Sequence, residues 1–347
     1  MPHEFKGVMI GAGYFAQFQA EAWRRLRGVR ITAVADTSPG KAAEFSARWG
    51  FPKSYLSAEE MLEKETPDFV DIVTRAETHL DIVQMVAKRK IQVICQKPMA
   101  PSLSECREMV KICKESGVRL LIHENWRWQP WYRETKQVVD SGVLGVPYHL
   151  AFRHRAGDGV GAYPYSLQTY FRGMSRLLIY ETLVHHLDTA RYLAGEIARI
   201  FCQTQRVNPA IKGEDSVLIQ LSFINGMLGI IDANRINGRN PARMAMGSCR
   251  VEGDRGLVRI TSSGRMFLSE HGKEETPLPF HPPEEGYRGD SIRSAQEHYL
   301  SCLRSGERCE SEGEDYLESV AAVEACYRSA STGNVVNMSD FLPSSKH

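Results

Sequence analysis

Lys97, Glu181, His185 and Asp188 are the residues whose types and spacing could do chemistry. Lys97 stands in Gln96-Lys97-Pro98, directly after the apolar run 91–95. Glu181, His185 and Asp188 are spaced by four and three along a stretch of helical periodicity, which puts two carboxylates and an imidazole on one helix face. Spacing alone leaves that face open between a site and a satisfied polar network in a core flanked by Leu183, Leu187 and Leu193. A lysine before a turn can equally be a plain surface residue.

A third group points to a ligand. Residues 7–16 read as an apolar strand breaking into Gly11, Gly13 and Ala16, and a second apolar run, 31–35, ends on Asp36. Gly11 suits the tight strand-to-helix turn, Gly13 removes the Cβ that would hold the backbone away from a pyrophosphate, and Ala16 lets helix and strand approach. Backbone N–H groups and the helix dipole would hold the anion at the helix start. Asp36, about 25 residues after Gly11, can accept both ribose hydroxyls of an adenosine, and its charge repels a 2′-phosphate. The expected cofactor is therefore NAD, with NADP less favoured, although Thr37 and Ser38 could accept a phosphate hydrogen bond.

These residues need elements to position them. From 5 to about 123, strand-like runs (5–10, 30–35, 69–73, 91–95, 118–122) alternate with helical stretches (14–26, 39–49, 58–64, 78–89, 102–116). That alternation predicts a doubly wound parallel sheet with its ligand at the strands' carboxyl ends, where Lys97 also falls. After Gly142-Val-Leu-Gly-Val-Pro147 the texture changes to strand-like runs at 148–155, 198–207, 214–224, 226–235, 245–252, 256–260 and 265–269, with turn signals such as Asn225-Gly226 and Gly253-Asp254. One strong helix, 178–194, interrupts them, and two more follow at 290–304 and 313–329. The expected architecture is an α/β chain of two domains: 1–124, dinucleotide-binding, and 125–347, an α/β domain with a mainly antiparallel sheet for substrate binding and oligomerisation.

Composition narrows the function classes. With 347 residues, 42% hydrophobic and 24% charged, the chain suits two globular domains. A formal net charge of +1 argues against a nucleic-acid or anionic-membrane footprint. No apolar run reaches the length of a membrane span, and the amino terminus lacks a signal-peptide pattern. Eight scattered cysteines without Cys-x-x-Cys spacing read as reduced thiols of a cytoplasmic protein, and no metal site is expected.

The ordered set Gly11-x-Gly13-x-x-Ala16, Asp36, Thr74 to His79, Gln96-Lys97-Pro98, Asn125-Trp126-Arg127-Trp128-Gln129-Pro130, Gly142-x-x-Gly145-x-Pro147 and Glu181-x-x-x-His185-x-x-Asp188 resembles the Gfo/Idh/MocA oxidoreductases. The resemblance spans essentially the whole chain. It implies a Rossmann domain joined to an α/β domain, with the active site between them. It implies cofactor contacts at Gly11, Gly13, Tyr14, Phe15, Ala16, Asp36, Thr37, Thr74, Arg75, His79, Gln96 and Lys97. His185 matches the family's usual acid/base and Lys97 the lysine that contacts substrate and nicotinamide. The chemistry agrees: alcohol oxidation needs a base that titrates near neutrality and a cation beside the developing carbonyl oxygen. Lys97, His185 and Glu181 are thus the expected catalytic residues.

Three positions depart from the family pattern. Gln96 replaces a glutamate, Arg75 stands where proline is frequent, and Glu181 replaces an aspartate, which moves the carboxylate by one methylene and changes the hydroxyl it can meet. The expected substrate contacts are Lys97, Asn125, Arg127, Arg153, Arg172, Glu181 and His185. Arginines at 127, 153, 155, 172, 176 and 235 together suggest an anionic group, favouring a sugar acid over a neutral sugar or polyol. Other readings are a redox-cycling isomerase or lyase with retained NAD, a metal-dependent lyase, and an NAD-sensing regulator. The last has no need of Lys97 and His185 together. Adjacent His185 and His186 point about 100° apart on a helix, which disfavours a shared metal. The resemblance also implies a homodimer or homotetramer formed through the C-terminal sheet.

Overall fold

A computed structural model describes residues 4–238 and 247–341. The chain divides into two compact units, one running through Asn125 and including Glu285–Leu317, the other comprising Trp126–Glu284 and the chain from Glu318 onward.

In the first unit, short apolar runs and amphipathic stretches alternate as β1 (Phe5–Ile10), α1 (Ala16–Arg25), β2 (Val29–Ala35), α2 (Pro39–Trp49), β3 (Lys53–Tyr55), α3 (Ala58–Lys64), β4 (Phe69–Ile72), α4 (His79–Lys88), β5 (Gln92–Gln96), α5 (Leu103–Ser116) and β6 (Leu120–His123). The strands form one parallel sheet in the order β3-β2-β1-β4-β5-β6. Strand order reverses between β1 and β4, and the crevice outside their carboxyl ends is where such sheets bind ligands. Gly11 sits there at φ +105°, and a Cβ on it would lie 2.6 Å from the Val73 carbonyl oxygen. Only glycine fits this approach of the β1 and β4 turns. The edge strand β3 was not foreseen, because its three residues, Lys-Ser-Tyr, are too few and too polar to carry a period.

Residues 285–317 correct the expected boundary at 124, which assigned everything beyond it to the second domain. The helix Ser291–Ser305 packs on α1. Tyr299 donates its hydroxyl hydrogen to the Ile122 carbonyl at 2.7 Å, and Gln296 donates to the Gln19 carbonyl at 3.2 Å. A helix's apolar stripe does not record which sheet it covers, so this return of the chain left no local trace.

The second unit contains α6 (Pro130–Asp140), β7 (Pro147–Arg155), α7 (Val184–Ala194), β8 (Ile197–Gln205), β9 (Ser216–Phe223), β10 (Leu228–Asn234), β11 (Gly247–Gly253), β12 (Gly256–Ile260), β13 (Met266–Glu270), and the two-residue strands β14 (Thr276–Pro277) and β15 (Val336–Asn337). Their order is β14-β13-β12-β11-β7-β10-β9-β8-β15. All neighbours are antiparallel except β7 and β10, which the long connection through α7 returns in the same direction. In β9, Val217, Ile219, Leu221 and Phe223 are buried while Leu218 and Gln220 are exposed, the alternation of a sheet covered on one face. Positions 245 and 246 of the expected strand 245–252 lie outside the described residues.

The expected helix 178–194 is two structures. Leu178–Leu183 is a π-helical segment and Val184–Ala194 is α-helical. Helix α6 was also not foreseen, although Pro130 at its first position is a start signal. Among the described residues no helix is long and apolar enough to cross a membrane. All eight cysteines are buried and none forms a disulfide.

Candidate active site

The cofactor end is built by three turns at the sheet's carboxyl edge. Asp36, one residue past β2, accepts the Ala12 N–H on Oδ2 and the Ser38 N–H on Oδ1, both at 2.9 Å. These bonds aim the carboxylate across the glycine turn and leave each oxygen a second lone pair for a ribose hydroxyl. A Cβ on Gly13 would meet no atom within 4 Å, so the space that glycine keeps clear is not filled by protein. Phe15, at the N-terminal boundary of helix α1, gives no side-chain cap, and the helix has no acid in its first turn. Its free N–H groups and positive dipole end suit a pyrophosphate. Tyr14, Thr37 and Arg75 are exposed around this edge, and Ala16 is buried against the sheet. The residues present fit NAD.

Two of the expected cofactor contacts turn inward. His79 has no exposed surface; its Nδ1 faces the Met99 carbonyl at 3.0 Å and its Nε2 the Thr74 carbonyl at 3.2 Å. Burial lowers its pKa, so the ring is held neutral and donates to one of the two. It braces the turn after β4 against the turn that follows Lys97. Gln96, also buried, accepts the Lys97 N–H on Oε1 at 2.8 Å. With the Gln19 amide oriented to satisfy its neighbours, Gln96 Nε2 donates to Gln19 Oε1 at 2.7 Å and Gln19 Nε2 donates to Asp71 at 3.0 and 3.1 Å. Trp23 Nε1 donates to the same carboxylate at 2.7 Å. A line of donors thus runs from the Lys97 backbone to a carboxylate inside the sheet.

Burial pushes the Asp71 carboxyl up to about 7, with the Trp23 N–H pulling the other way. From about pH 4, the unfolded value, to about 7 the folded chain keeps a proton that the unfolded chain has lost. The stabilising contribution is present below that window and lost as pH rises through it. Asp71→Asn is expected to flatten the decline in unfolding free energy from pH 5 to 7, by about 1 kcal/mol or more over the range, read by urea unfolding at each pH. A slope unchanged from the parent protein would contradict this.

In the second unit, His185 lies at the start of α7, 5% exposed, with its ring stacked on Trp126 at 4.8 Å and 8°. His186 is buried edge-on to Phe152 and His154, and burial together with the His185 charge lowers its pKa to about 3. Glu181, 7% exposed, falls in the π segment, so its offset from His185 is not that of a regular α-helix. Glu214 sets that segment: its Oε1 accepts the Leu177 N–H at 3.2 Å and the Ile179 N–H at 3.0 Å, and the Tyr327 hydroxyl at 2.6 Å. Next to Glu181, Thr182 accepts from Arg235 Nη1 at 2.9 Å, and Arg235 also binds Asp158.

The expected anion-binding arginines are largely engaged. Arg127 grips Asp188 bidentately, Nε to Oδ2 and Nη2 to Oδ1 both at 2.7 Å, with Asp188 fully buried and also accepting from Ser319 at 3.0 Å. Arg155 and the exposed Arg153 face Asp232, and Arg176 pairs with Glu324. Arg172 donates Nε to the Thr169 carbonyl at 3.3 Å and has no carboxylate partner among the described residues. Asn125, in the first unit, donates to Ser291 at 2.9 Å. Asp188 is thus an ion-pair partner, and the segment 181–188 does not gather a metal's ligands. Sequence reading missed Gln19, Asp71, Asp158, Thr182, Glu214 and Tyr327. Asp71 had a signal, an acid inside the apolar run Phe-Val-Asp-Ile. The others are placed by contacts distant in sequence.

Residues 5–124 match an oxidoreductase family with an NAD-binding Rossmann fold, and residues 132–259 match the Gfo/Idh/MocA C-terminal domain. D-apiose dehydrogenase of Rhizobium rhizogenes is 33% identical, over 98% of this chain and 99% of its own length. Myo-inositol 2-dehydrogenase of Thermotoga maritima is 26% identical over 88% and 90%. The crystal structure of an oxidoreductase from Agrobacterium radiobacter, in complex with NAD+, L-tartaric acid and magnesium, is 32% identical and superposes with a TM-score of 0.91 over 98% of this chain and all of that one.

Proposed function

The chain belongs to the Gfo/Idh/MocA oxidoreductases, and from that premise we propose that it oxidises a secondary hydroxyl of a small neutral sugar or polyol with NAD. NAD supplies the hydride acceptor when bound. His185 takes the hydroxyl proton, Lys97 steadies the charge on the oxygen as it becomes a carbonyl, and Glu181 accepts from a neighbouring hydroxyl and so fixes which carbon reacts. Asp36 selects NAD over NADP. The sheet β7–β15, with Leu218 and Leu228 exposed on it, is the surface through which copies of the chain would pair as dimers or tetramers.

The observation that carries the substrate class is the pairing of the arginines. Arg127, Arg155, Arg176 and Arg235 are each matched by a carboxylate of the chain, so they favour no anionic substrate. The relative named D-apiose dehydrogenase, alike over nearly the whole of both chains, supports a sugar of similar size. A sugar acid is the second reading, favoured by Arg172, which has no carboxylate partner among the described residues, and by the L-tartaric acid bound to the Agrobacterium protein.

NAD and NADP reduction, followed by absorbance with pentoses, polyols and matched aldonic acids, tests both. The expected result is NAD reduction with a neutral sugar at a kcat/KM at least tenfold above that of its acid. The reverse order moves the assignment to the sugar acid. Cofactor binding without reduction across the panel defeats a net dehydrogenase.

A further inference from the structure

One cluster of reactive side chains in the first unit lies outside everything described so far. His298 and Cys302 are four apart on the helix Ser291–Ser305, so both project from one face, and Cys309 returns to that face from the connection to the helix Gly313–Thr332. Donor atoms of the three residues lie within 4.8 Å of one another. We propose that His298, Cys302 and Cys309 bind a zinc ion, with solvent as the fourth ligand, and that the ion clasps the connection 306–312 to the helix before it.

The donor set and its dimensions argue for zinc. Two thiolates and an imidazole are borderline-soft ligands, and carboxylates that would suit magnesium or calcium are not among the three. With zinc–sulfur near 2.3 Å and zinc–nitrogen near 2.0 Å, neighbouring ligands of a tetrahedral site stand about 3.5 Å apart. Cys302 Sγ lies 3.4 Å from His298 Nε2. Coordination converts two thiols to thiolates and releases two protons to solvent, so the dication and its ligands sum to zero charge.

The connection is also held in place before any ion arrives. Arg119 donates Nη1 to the Cys302 carbonyl at 2.7 Å, and its Nη2 reaches the Glu307 carbonyl and Glu312. Glu312 Oε1 accepts the Cys309 N–H at 3.1 Å, and the Ser311 carbonyl accepts the Ile122 N–H from β6 at 2.8 Å. Such outer contacts fix ligands in orientation. Cys302 and Cys309 are buried and His298 is half-buried, so solvent reaches the cluster from the imidazole side. An entering ion displaces the Glu310 N–H, 3.1 Å from His298 Nε2, and the Cys302 thiol's bond to the Arg308 carbonyl at 3.7 Å.

The whole chain, stripped with a chelator under reducing conditions and dialysed against zinc, tests the site by metal analysis. Cobalt titration then reports the ligands through the sulfur-to-cobalt charge-transfer band. One zinc per chain, a thiolate band, and at least tenfold weaker binding in Cys309→Ser and His298→Ala are the expected results. His298→Ala, at a half-buried position, keeps the test decisive if a serine variant fails to fold. Zinc uptake equal in parent and variants, or cobalt uptake without the thiolate band, would overturn the proposal. None of these readouts depends on the dehydrogenase reading.

Discussion

His185→Asn is expected to lower kcat by roughly 10²- to 10⁴-fold, the usual contribution of a positioned acid/base, while the Kd for NAD stays within about twofold. The asymmetry follows from where the groups sit. Gly11, Asp36 and the start of α1 belong to the unit built on the parallel sheet, and His185 belongs to the other. The neighbouring imidazole does not replace it. His186 is buried and pushed down to about 3, so it stays neutral and shielded from solvent. Loss of the stack on Trp126 costs packing, so a thermal melt must accompany the kinetics. A kcat within tenfold of the parent enzyme, in a variant that still melts cooperatively, would remove His185 from the proton-transfer role.

Arg127→Met is expected to cost about 3–5 kcal/mol of stability, the range for stripping one partner from a buried ion pair. Asp188 has no exposed surface and takes both Arg127 bonds at 2.7 Å, so removing them strips a buried carboxylate of its bidentate cation and leaves the Ser319 hydroxyl at 3.0 Å. Replacing both members, Arg127→Met with Asp188→Leu, is expected to recover most of the loss, because no uncompensated charge remains. Urea unfolding of the two single variants and the double gives the coupling. A single-variant cost below about 1 kcal/mol would mean that solvent or another cation already satisfies Asp188. The prediction also separates structure from substrate binding, since an Arg127 that met a substrate carboxylate would be missed in KM more than in stability.

Local pattern carried the first unit well because parallel strands and their covering helices are each short, periodic and bounded by glycine or acid signals. Strands β1, β2, β4 and β5 and helices α2 and α3 fall within about one residue of the reading from sequence. What stayed hidden depends on partners far away in the chain. The start of the π segment that carries Glu181 is capped by Glu214, which accepts the Leu177 and Ile179 N–H groups, and nothing between 178 and 194 encodes Glu214. The arginines looked like a pocket for an anion until their carboxylates, Asp158, Asp188, Asp232 and Glu324, were placed beside them. His79 and Gln96 sit in cofactor-facing motifs, and their spacing could not tell that the side chains turn inward to brace the Lys97 turn. The helix Ser291–Ser305 was legible as a helix and illegible as part of the first unit.

Net transfer of hydride to NAD is the central claim, and stoichiometry tests it most directly. With a limiting amount of the best neutral sugar and excess NAD, NADH is read by absorbance and remaining sugar by chromatography as the reaction runs to completion. The expected result is one NADH formed for each sugar consumed. Sugar consumed without accumulation of NADH would contradict the claim and identify a cofactor that is reduced and reoxidised within each turnover.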